Sequence, residues 1–323
     1  MHIIVPDNLD QVGLDMLAAT PEVTYEAPAK MTRAELLAKA STADGLIIRS
    51  ATTVDKEMFA ALTNIKAIAR AGVGVDNVDL DIATERGVVV MNAPDGNTVA
   101  TAEQTLALML ALARHVPQAY LSMKEGKWDR KTYMGTELRG KTLGVIGFGR
   151  VGQAVAKRAL AFEMTVLAYD PYIAPEVAQN LGVTMLSFDE VLAKADYLTL
   201  HSVATRETKG MINAANIAKM KDGVRIVNAA RGTLINDDDL AAAIQSGKVA
   251  GAALDVYAVE PPPNDNPLIN LVGVIHTPHL GASTIEAQNE VAIQATRNLL
   301  DALLKHEYRN VVNPAVLDKL QHA

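Results

Sequence analysis

Three polar side chains that could support proton transfer on a small anion lie in the last third of the chain. His279 follows a predicted strand, and Arg231 and Glu260 each follow another. Ligand crevices of open α/β sheets form at the carboxyl ends of strands. Histidine exchanges protons near neutral pH, and a neighbouring carboxylate favours its charged form. The three residues therefore predict an acid/base group, its carboxylate partner and a cation for an anionic substrate.

Each residue by itself also has an ordinary structural interpretation. His279 could be a hydrogen-bonded structural histidine, Arg231 a surface charge beside a helix, and Glu260 a solvated loop residue. Reduction of a 2-keto acid by hydride needs a cation for the carboxylate and a tuned acid for the carbonyl oxygen. The three residues therefore indicate hydride-transfer chemistry only if the chain also has a site for a hydride carrier.

A dinucleotide motif supplies that site. Gly147-Phe148-Gly149-Arg150-Val151-Gly152 follows the apolar strand 143–146 and opens a predicted helix, 151–161. The first glycine permits the turn, the second admits the pyrophosphate and the third lets the helix pack closely on the strand. The free N–H groups at the start of the helix then favour phosphate.

Asp170 indicates which dinucleotide is bound. It ends the next strand, 23 residues after Gly147, where the motif requires an acidic residue for the ribose hydroxyls. Its carboxylate would repel a 2′-phosphate, and Pro171-Tyr172 adds no arginine. NAD is therefore predicted rather than NADP. His201, after the strand 197–200, is interpreted as packing beside the cofactor.

Apolar runs alternate with helical patterns along the whole chain, which predicts βαβ units and parallel sheets. We expect an α/β protein with two open parallel-sheet domains. Residues 99–287 would form a Rossmann NAD-binding domain, and residues 1–98 with 288–323 a discontinuous, flavodoxin-like substrate-binding domain. A long helix from about Thr101 would lead into the second sheet. Thr101 and Gln104 could form its capping box, or the helix could begin nearer Thr98.

Composition excludes several classes of protein. The net charge of −7 argues against a nucleic-acid-binding surface, and the absence of cysteine excludes disulfides and thiolate metal sites. The start of the chain lacks a basic segment, and the most apolar stretch, 106–113, is too short to span a bilayer. We expect a soluble, cytoplasmic protein that needs no metal.

Five motifs together resemble the D-2-hydroxyacid dehydrogenase family, in order and over nearly the whole chain. They are Gly147–Gly152 with Asp170, Asn228–Gly232, Ala252–Val256, Glu260-Pro261-Pro262 and Pro278-His279-Leu280-Gly281. The resemblance implies His279 as acid/base, Glu260 as its partner and Arg231 as the clamp on the substrate carboxylate. It places Asp255 near the nicotinamide carboxamide. The predicted cofactor-binding residues are Gly147, Phe148, Gly149, Arg150, Val151, Gly152, Asp170, His201, Ala229 and Asp255.

Further matches, at 44–50, 70–78, 127–131 and 134–138, favour a family member that acts on a phosphorylated substrate. The implied reaction is the oxidation of 3-phospho-D-glycerate to 3-phosphohydroxypyruvate, the entry step to serine. Arg49, Arg70 and Arg130 would bind the phosphate. The backbone of Gly72, Val73 and Gly74 would bind the carboxylate, because its N–H groups are unobstructed.

Two alternatives remain at this stage. The same triad could serve a hydroxypyruvate or glyoxylate reductase, and the fold is also used by NAD-sensing corepressors that bind peptides. The family implies a homodimer or a dimer of dimers, formed through the helix and arm near 101–130. Because the chain ends soon after Val311–Ala315, we expect no serine-binding regulatory domain.

Overall fold

A computed structural model describes residues 1–321, and the side chains of residues 1–320. The chain divides into two compact units. Unit 1 contains Met1–Asn97 together with the described residues from Ala282 on, and unit 2 contains Thr98–Gly281. We expected the second boundary at 287/288. Residues 282–287 instead cluster with unit 1, because Thr284 caps a helix whose apolar face packs into the core of that unit.

Unit 1 contains a five-stranded parallel sheet of order β2-β1-β3-β4-β5. This is the flavodoxin-like order. Its strands are β1 (His2–Ile4), β2 (Thr24–Glu26), β3 (Gly45–Ile48), β4 (Ala67–Arg70) and β5 (Val89–Met91). Its helices are α1 (Gln11–Ala18), α2 (Arg33–Lys39), α3 (Lys56–Ala61), α4 (Leu80–Glu85), α12 (Ile285–Lys305) and α13 (Ala315–Gln321).

Two apolar clusters cover the faces of this sheet. On one face, Val291, Ala295 and Leu299 of α12 pack with Ile3 and Ile47. The helix repeats apolar residues at intervals of about one turn, so one stripe is buried along its length. On the other face, residues of α2 and α3 pack against Ile4 and neighbouring strand residues. Both faces are covered, which accounts for the continuous apolar run of β3.

Unit 2 contains a seven-stranded parallel sheet of order β12-β11-β10-β9-β6-β7-β8. Its first strand, β6, lies in the middle with crossovers to both sides, as in the Rossmann arrangement. The strands are β6 (Thr142–Ile146), β7 (Thr165–Tyr169), β8 (Thr184–Met185), β9 (Tyr197–Leu200), β10 (Val224–Asn228), β11 (Val249–Leu254) and β12 (Val274–His276). The helices are α5 (Thr98–Arg114), α6 (Val116–Lys124), α7 (Arg150–Ala161), α8 (Pro175–Gln179), α9 (Phe188–Lys194), α10 (Ala214–Ala218) and α11 (Asp237–Gln245).

The predicted fold class is confirmed. Of the two predicted starts of α5, the one nearer Thr98 is confirmed, so Thr101 and Gln104 form no capping box. Thr101 Oγ1 donates to the carbonyl oxygen of Gly281 (3.1 Å) and Gln104 Nε2 to Thr277 Oγ1 (3.2 Å). Both side chains therefore hold the loop that follows β12. Within residues 1–321, none of the helices is long and apolar enough to cross a membrane.

Candidate active site

The glycine loop lies between β6 and α7. Gly147 has φ +91°, and a Cβ there would lie 2.6 Å from the backbone carbonyl carbon of His201. A Cβ on Gly152 would lie 2.2 Å from the carbonyl oxygen of Gly147. The space at Gly149 is open for at least 4 Å. Two glycines are thus required by the protein's own packing, and the third leaves room for a ligand at the start of α7.

Asp170 ties this loop to the end of β7. Its Oδ2 accepts from the backbone N–H of Phe148 (2.8 Å), and its Oδ1 accepts from Tyr172 N–H (2.8 Å) and Ile173 N–H (3.2 Å). The Phe148 side chain is fully buried, so only its backbone faces the loop. Val151 is partly buried and Arg150 is exposed. The carboxylate predicted to bind the ribose therefore also fixes the loop.

His201 lies beside the glycine loop, where its backbone N–H donates to the carbonyl oxygen of Ile146 (2.7 Å). Its Nε2 lies 2.9 Å from Thr199 Oγ1. Burial lowers the pKa of His201 to about 3, so the ring is neutral at pH 7. Within the described chain its buried Nδ1 has no hydrogen-bond partner. These properties exclude His201 as a second acid at neutral pH and leave a buried polar atom next to the predicted cofactor site.

His279 and Glu260 form a close pair on the loops after β12 and β11. His279 Nδ1 lies 2.6 Å from Glu260 Oε2. Burial raises the pKa of Glu260. The hydrogen bonds from His279 and from Tyr257 N–H and the nearby charge of Arg231 lower it by more, so the pKa lies below its usual value. Glu260 is therefore ionised at neutral pH. A carboxylate on Nδ1 fixes the ring orientation and leaves Nε2 for proton exchange.

Arg231 follows β10 in a turn that packs against the loop carrying Glu260. A Cβ on Gly232 would lie 1.9 Å from the carbonyl carbon of Tyr257, so only glycine allows the two backbones to approach. Arg231 Nη1 donates to Ala230 O (2.7 Å). Ala229, predicted to bind cofactor, is buried in the same turn. The carboxyl ends of three adjacent strands thus bring together Arg231, Glu260 and His279.

Asp255 is fully buried, and its carboxylate accepts three hydrogen bonds from the loop after β12. Oδ1 accepts from Thr277 Oγ1 (2.5 Å) and Leu280 N–H (2.8 Å), and Oδ2 accepts from Gly281 N–H (2.8 Å). The resemblance predicted a position near the nicotinamide. The structure adds a role that sequence reasoning missed, which is to hold the segment on either side of His279.

Tyr257 is a second residue that sequence reasoning missed. Its hydroxyl donates to Thr277 O (3.2 Å) and lies 3.2 Å from His276 Nδ1, while its N–H donates to Glu260 Oε1 (3.1 Å). Burial, with the charges of Asp255 and Glu260, raises the pKa of Tyr257 to about 12. The phenol therefore stays protonated and joins the β11 and β12 loops.

In unit 1, Arg49 follows β3 and Arg70 ends β4, and both bond to Asn77. Asn77 Nδ2 donates to Arg49 O (2.7 Å), and Asn77 Oδ1 accepts from Arg70 Nε (3.2 Å). A Cβ on Gly72 would lie 2.2 Å from Arg70 Nη1, so the guanidinium lies against the Gly72–Gly74 loop. Val73 and Gly74 are partly buried. Two of the three predicted phosphate ligands thus lie at one edge of the sheet.

Arg130, the third predicted phosphate ligand, is exposed on the segment that follows α6. That segment belongs to unit 2, whereas Arg49 and Arg70 belong to unit 1. The role of Arg130 stays a prediction.

Residues 106–281 match the family model described as the NAD binding domain of the D-isomer specific 2-hydroxyacid dehydrogenases. The chain belongs to this family. The predicted resemblance is therefore confirmed, and the Rossmann unit is an NAD-binding domain. The buried Nδ1 of His201 and the open space at Gly149 fit such a cofactor.

Individual relatives agree with the family. The chain is 49% identical over 313 residues to a D-3-phosphoglycerate dehydrogenase of Archaeoglobus fulgidus, covering 97% of this chain and 59% of the relative. It is similar to the crystal structure of a glyoxylate reductase from Paecilomyes thermophila (32% identity, TM-score 0.88, covering 97% and 98% of the two chains). It also resembles the D-lactate dehydrogenase of Aquifex aeolicus complexed with NAD and lactic acid (27% identity, TM-score 0.86, covering 97% and 99%).

Replacement of Asp170 by alanine should reduce the preference for NAD over NADP. The change removes the carboxylate predicted to repel a 2′-phosphate and to bind the ribose hydroxyls. It also removes the acceptor of the Phe148 N–H bond, so NAD affinity should fall more than NADP affinity rises. Dissociation constants from NADH and NADPH fluorescence titration measure both effects. An unchanged ratio of the two constants would remove Asp170 from cofactor selection.

Replacement of Glu260 by glutamine should move the alkaline limb of the pH profile for keto-acid reduction to lower pH. The predicted acid of the reduction is protonated His279, and the variant lacks the negative charge 2.6 Å from its Nδ1. Rates measured from pH 5 to 9 under saturating NADH test this shift. Glu163→Gln, which removes a surface carboxylate paired with Arg139, is the matched control and should leave the profile unchanged. Coincident profiles for all three proteins would contradict the pairing.

Proposed function

We propose that this chain catalyses the NAD-dependent oxidation of 3-phospho-D-glycerate to 3-phosphohydroxypyruvate. The observation that carries the proposal is the 2.6 Å contact between His279 and Glu260, beside Arg231, at the carboxyl edge of an NAD-binding sheet. The relatives named D-3-phosphoglycerate dehydrogenase support this substrate. The chain spans about three fifths of the length of the first of them, so the activity of the whole protein is part of the proposal.

The residues of unit 2 carry the chemical step. His279 Nε2 takes the proton of the C2 hydroxyl, and Glu260 stabilises the imidazolium that results. Arg231 binds the substrate carboxylate and orients C2, since a guanidinium forms paired hydrogen bonds to a carboxylate. NAD, which the Gly147–Gly152 loop and Asp170 would hold, would supply the acceptor for the hydride of C2. In the reverse direction the imidazolium returns the proton to the carbonyl oxygen.

The residues of unit 1 supply substrate selection. Arg49 and Arg70 bind the phosphate. Asn77 bonds to the backbone of Arg49 and to the guanidinium of Arg70, and the Arg49 guanidinium donates to Asn8 O (3.0 Å). The backbone N–H groups of the Gly72–Gly74 loop offer further donors for an anionic group of the substrate.

A reductase of hydroxypyruvate or glyoxylate is the second candidate. The similarity to the glyoxylate reductase of Paecilomyes thermophila favours it, because this chain covers nearly all of that structure. Both reactions use the same histidine, glutamate and arginine. The phosphate ligands alone separate the two candidates.

Arg49→Ala and Arg70→Ala should each raise the KM for 3-phosphoglycerate by about ten- to a hundredfold. The loss of one charge-assisted hydrogen bond costs about 1.5–3 kcal/mol. The KM for hydroxypyruvate should change little. Steady-state assays with both substrates test this difference, and Arg139→Ala, a surface arginine paired with Glu163, is the matched control. Equal losses on both substrates would favour the second candidate.

His279→Ala serves as the inactive reference for these steady-state assays. His279→Ala should reduce turnover by about a hundred- to ten-thousandfold, the usual cost of losing a general acid/base. NAD binding by fluorescence quenching should remain, since the glycine loop and Asp170 are untouched. Turnover that survives this change would contradict the proposed chemistry for either substrate.

We also propose that the chain forms a homodimer through α6 and the end of α5. Four apolar side chains of α6 are largely exposed: Val116 (54%), Tyr120 (60%), Leu121 (58%) and Met123 (52%). Leu110 and Arg114 of α5 line an apolar groove beside them. An exposed apolar patch on this scale is typical of a protein interface. A second copy of the same surface is the proposed partner.

Leu121→Glu should convert the dimer to a monomer, because a charge buried without a partner opposes association. Sedimentation velocity at micromolar concentration measures the species present. Val272→Glu, at another exposed valine of unit 2 (91% exposed), is the control and should remain dimeric. A wild-type chain that sediments as a monomer would overturn the proposed interface.

A further inference from the structure

Asn228 has a side chain that the proposed chemistry does not use, although the residue ends β10 just before Arg231. It is fully buried. Its backbone oxygen accepts from Asp255 N–H (2.9 Å) and so belongs to the sheet. The side-chain amide is therefore available for other bonds, and in a buried setting it requires them.

Both ends of that amide bond to the turn that carries Arg231. Asn228 Nδ2 donates to the carbonyl oxygen of Arg231 (2.9 Å), and Asn228 Oδ1 accepts from Ala230 N–H (3.0 Å). The carbonyl oxygen of Ala230 in turn accepts from Arg231 Nη1 (2.7 Å). The Asn228 amide is thus linked to the guanidinium through the backbone of Ala230, whose N–H and carbonyl oxygen each form one of these hydrogen bonds.

The turn has little room to move as a whole. Gly232 lies so close to the Tyr257 backbone that a Cβ would overlap it, and Tyr257 N–H donates to Glu260. On the other side, the turn begins in the central part of a parallel sheet. The bend from Asn228 to Arg231, which the Asn228 side chain closes, therefore contributes to the position of Arg231 relative to Glu260.

We infer that Asn228 is a positioning residue that fixes Arg231 for the substrate carboxylate. This inference rests on the proposed function, because it assigns Arg231 the role of carboxylate ligand. Asparagine suits the position because one short side chain offers a donor and an acceptor in fixed geometry. Aspartate has the same shape but lacks the donor, and it places a carboxylate oxygen against the carbonyl of Arg231.

Asn228→Ala and Asn228→Asp should each weaken substrate binding while leaving the cofactor site intact. We expect the KM for the 2-hydroxy acid and the dissociation constant of oxamate, an unreactive keto-acid analogue, to rise about tenfold or more. Oxamate binding is measured by NADH fluorescence in the enzyme–NADH complex. The dissociation constant of NADH should change less than twofold. The melting temperature reports any general loss of stability.

Asn313→Ala is the matched control in unit 1. Asn313 is also buried, and its amide also bonds at both ends, to Val90 N–H (2.9 Å) and to Val88 O (3.0 Å). This variant should lower the melting temperature without changing oxamate affinity. If Asn228→Ala behaves in the same way, losing stability but not oxamate affinity, then Asn228 is a structural residue and the inference is wrong.

A double-mutant cycle tests whether Asn228 acts through Arg231. In the Arg231→Ala background, Asn228→Ala should have no further effect on oxamate affinity, because the group that it positions is gone. Additive losses would show that Asn228 acts by another route. If wild-type enzyme binds oxamate but oxidises no 2-hydroxy acid, the proposed function fails while the test of Asn228 still holds.

Discussion

The hydrogen bonds to the buried carboxylate of Asp255 are the interaction on which the loop that carries His279 depends. His279 has φ +54°, a left-handed conformation that costs energy for a residue with a side chain. The three hydrogen bonds to Asp255 involve residues 277, 280 and 281, and so hold the chain on both sides of that strained position. A buried carboxylate is stable only with such donors. The loop therefore supplies the donors that stabilise the buried carboxylate, and the carboxylate holds the loop in its strained conformation.

The same constraint extends into α5. Thr101 donates to Gly281 and Gln104 donates to Thr277. Gly281 and Thr277 are the two ends of the segment that also bonds to Asp255. Tyr257 adds a third anchor at Thr277. Every one of these contacts lies within unit 2. The unit therefore presents His279, Glu260 and Arg231 in a fixed arrangement, and substrate binding need not order the loop.

Sequence patterns predicted the strands, the glycine loop and the placement of His279, Glu260 and Arg231 at strand ends. These features follow from local rules, such as apolar runs and the glycine spacing. A strand of two residues such as β8 carries almost no periodic signal, so apolar runs do not predict it. Two starts of α5 stayed open, because the spacing of Thr101 and Gln104 does not reveal where the helix begins. The contacts of these two side chains are with residues 180 and 173 positions away in the chain.

The roles of Asn228, Tyr257 and Gly232 could not be read from the sequence for a related reason. Each depends on how closely the loops after β10 and β11 approach one another, and that distance is a property of the folded sheet. In the sequence, Asn228 was identified only as the first residue of the motif Asn228–Gly232. A buried amide at the end of a central strand would have been a usable signal, because such a group must find partners in the adjoining turn.

In both units an asparagine side chain holds a segment that carries an arginine. Each must hold arginines at the carboxyl edge of a parallel sheet, where the chain leaves its regular hydrogen bonds. Asn77 does so in unit 1, donating to Arg49 O and accepting from Arg70 Nε. Asn228 does so in unit 2, through the turn of Arg231. In each unit a glycine lets the arginine segment approach its neighbour, Gly72 beneath Arg70 and Gly232 against Tyr257. An amide supplies a donor and an acceptor without adding a charge that would neutralise the guanidinium. Asparagine at these two positions therefore holds the arginine segments through a donor and an acceptor without placing a carboxylate beside them.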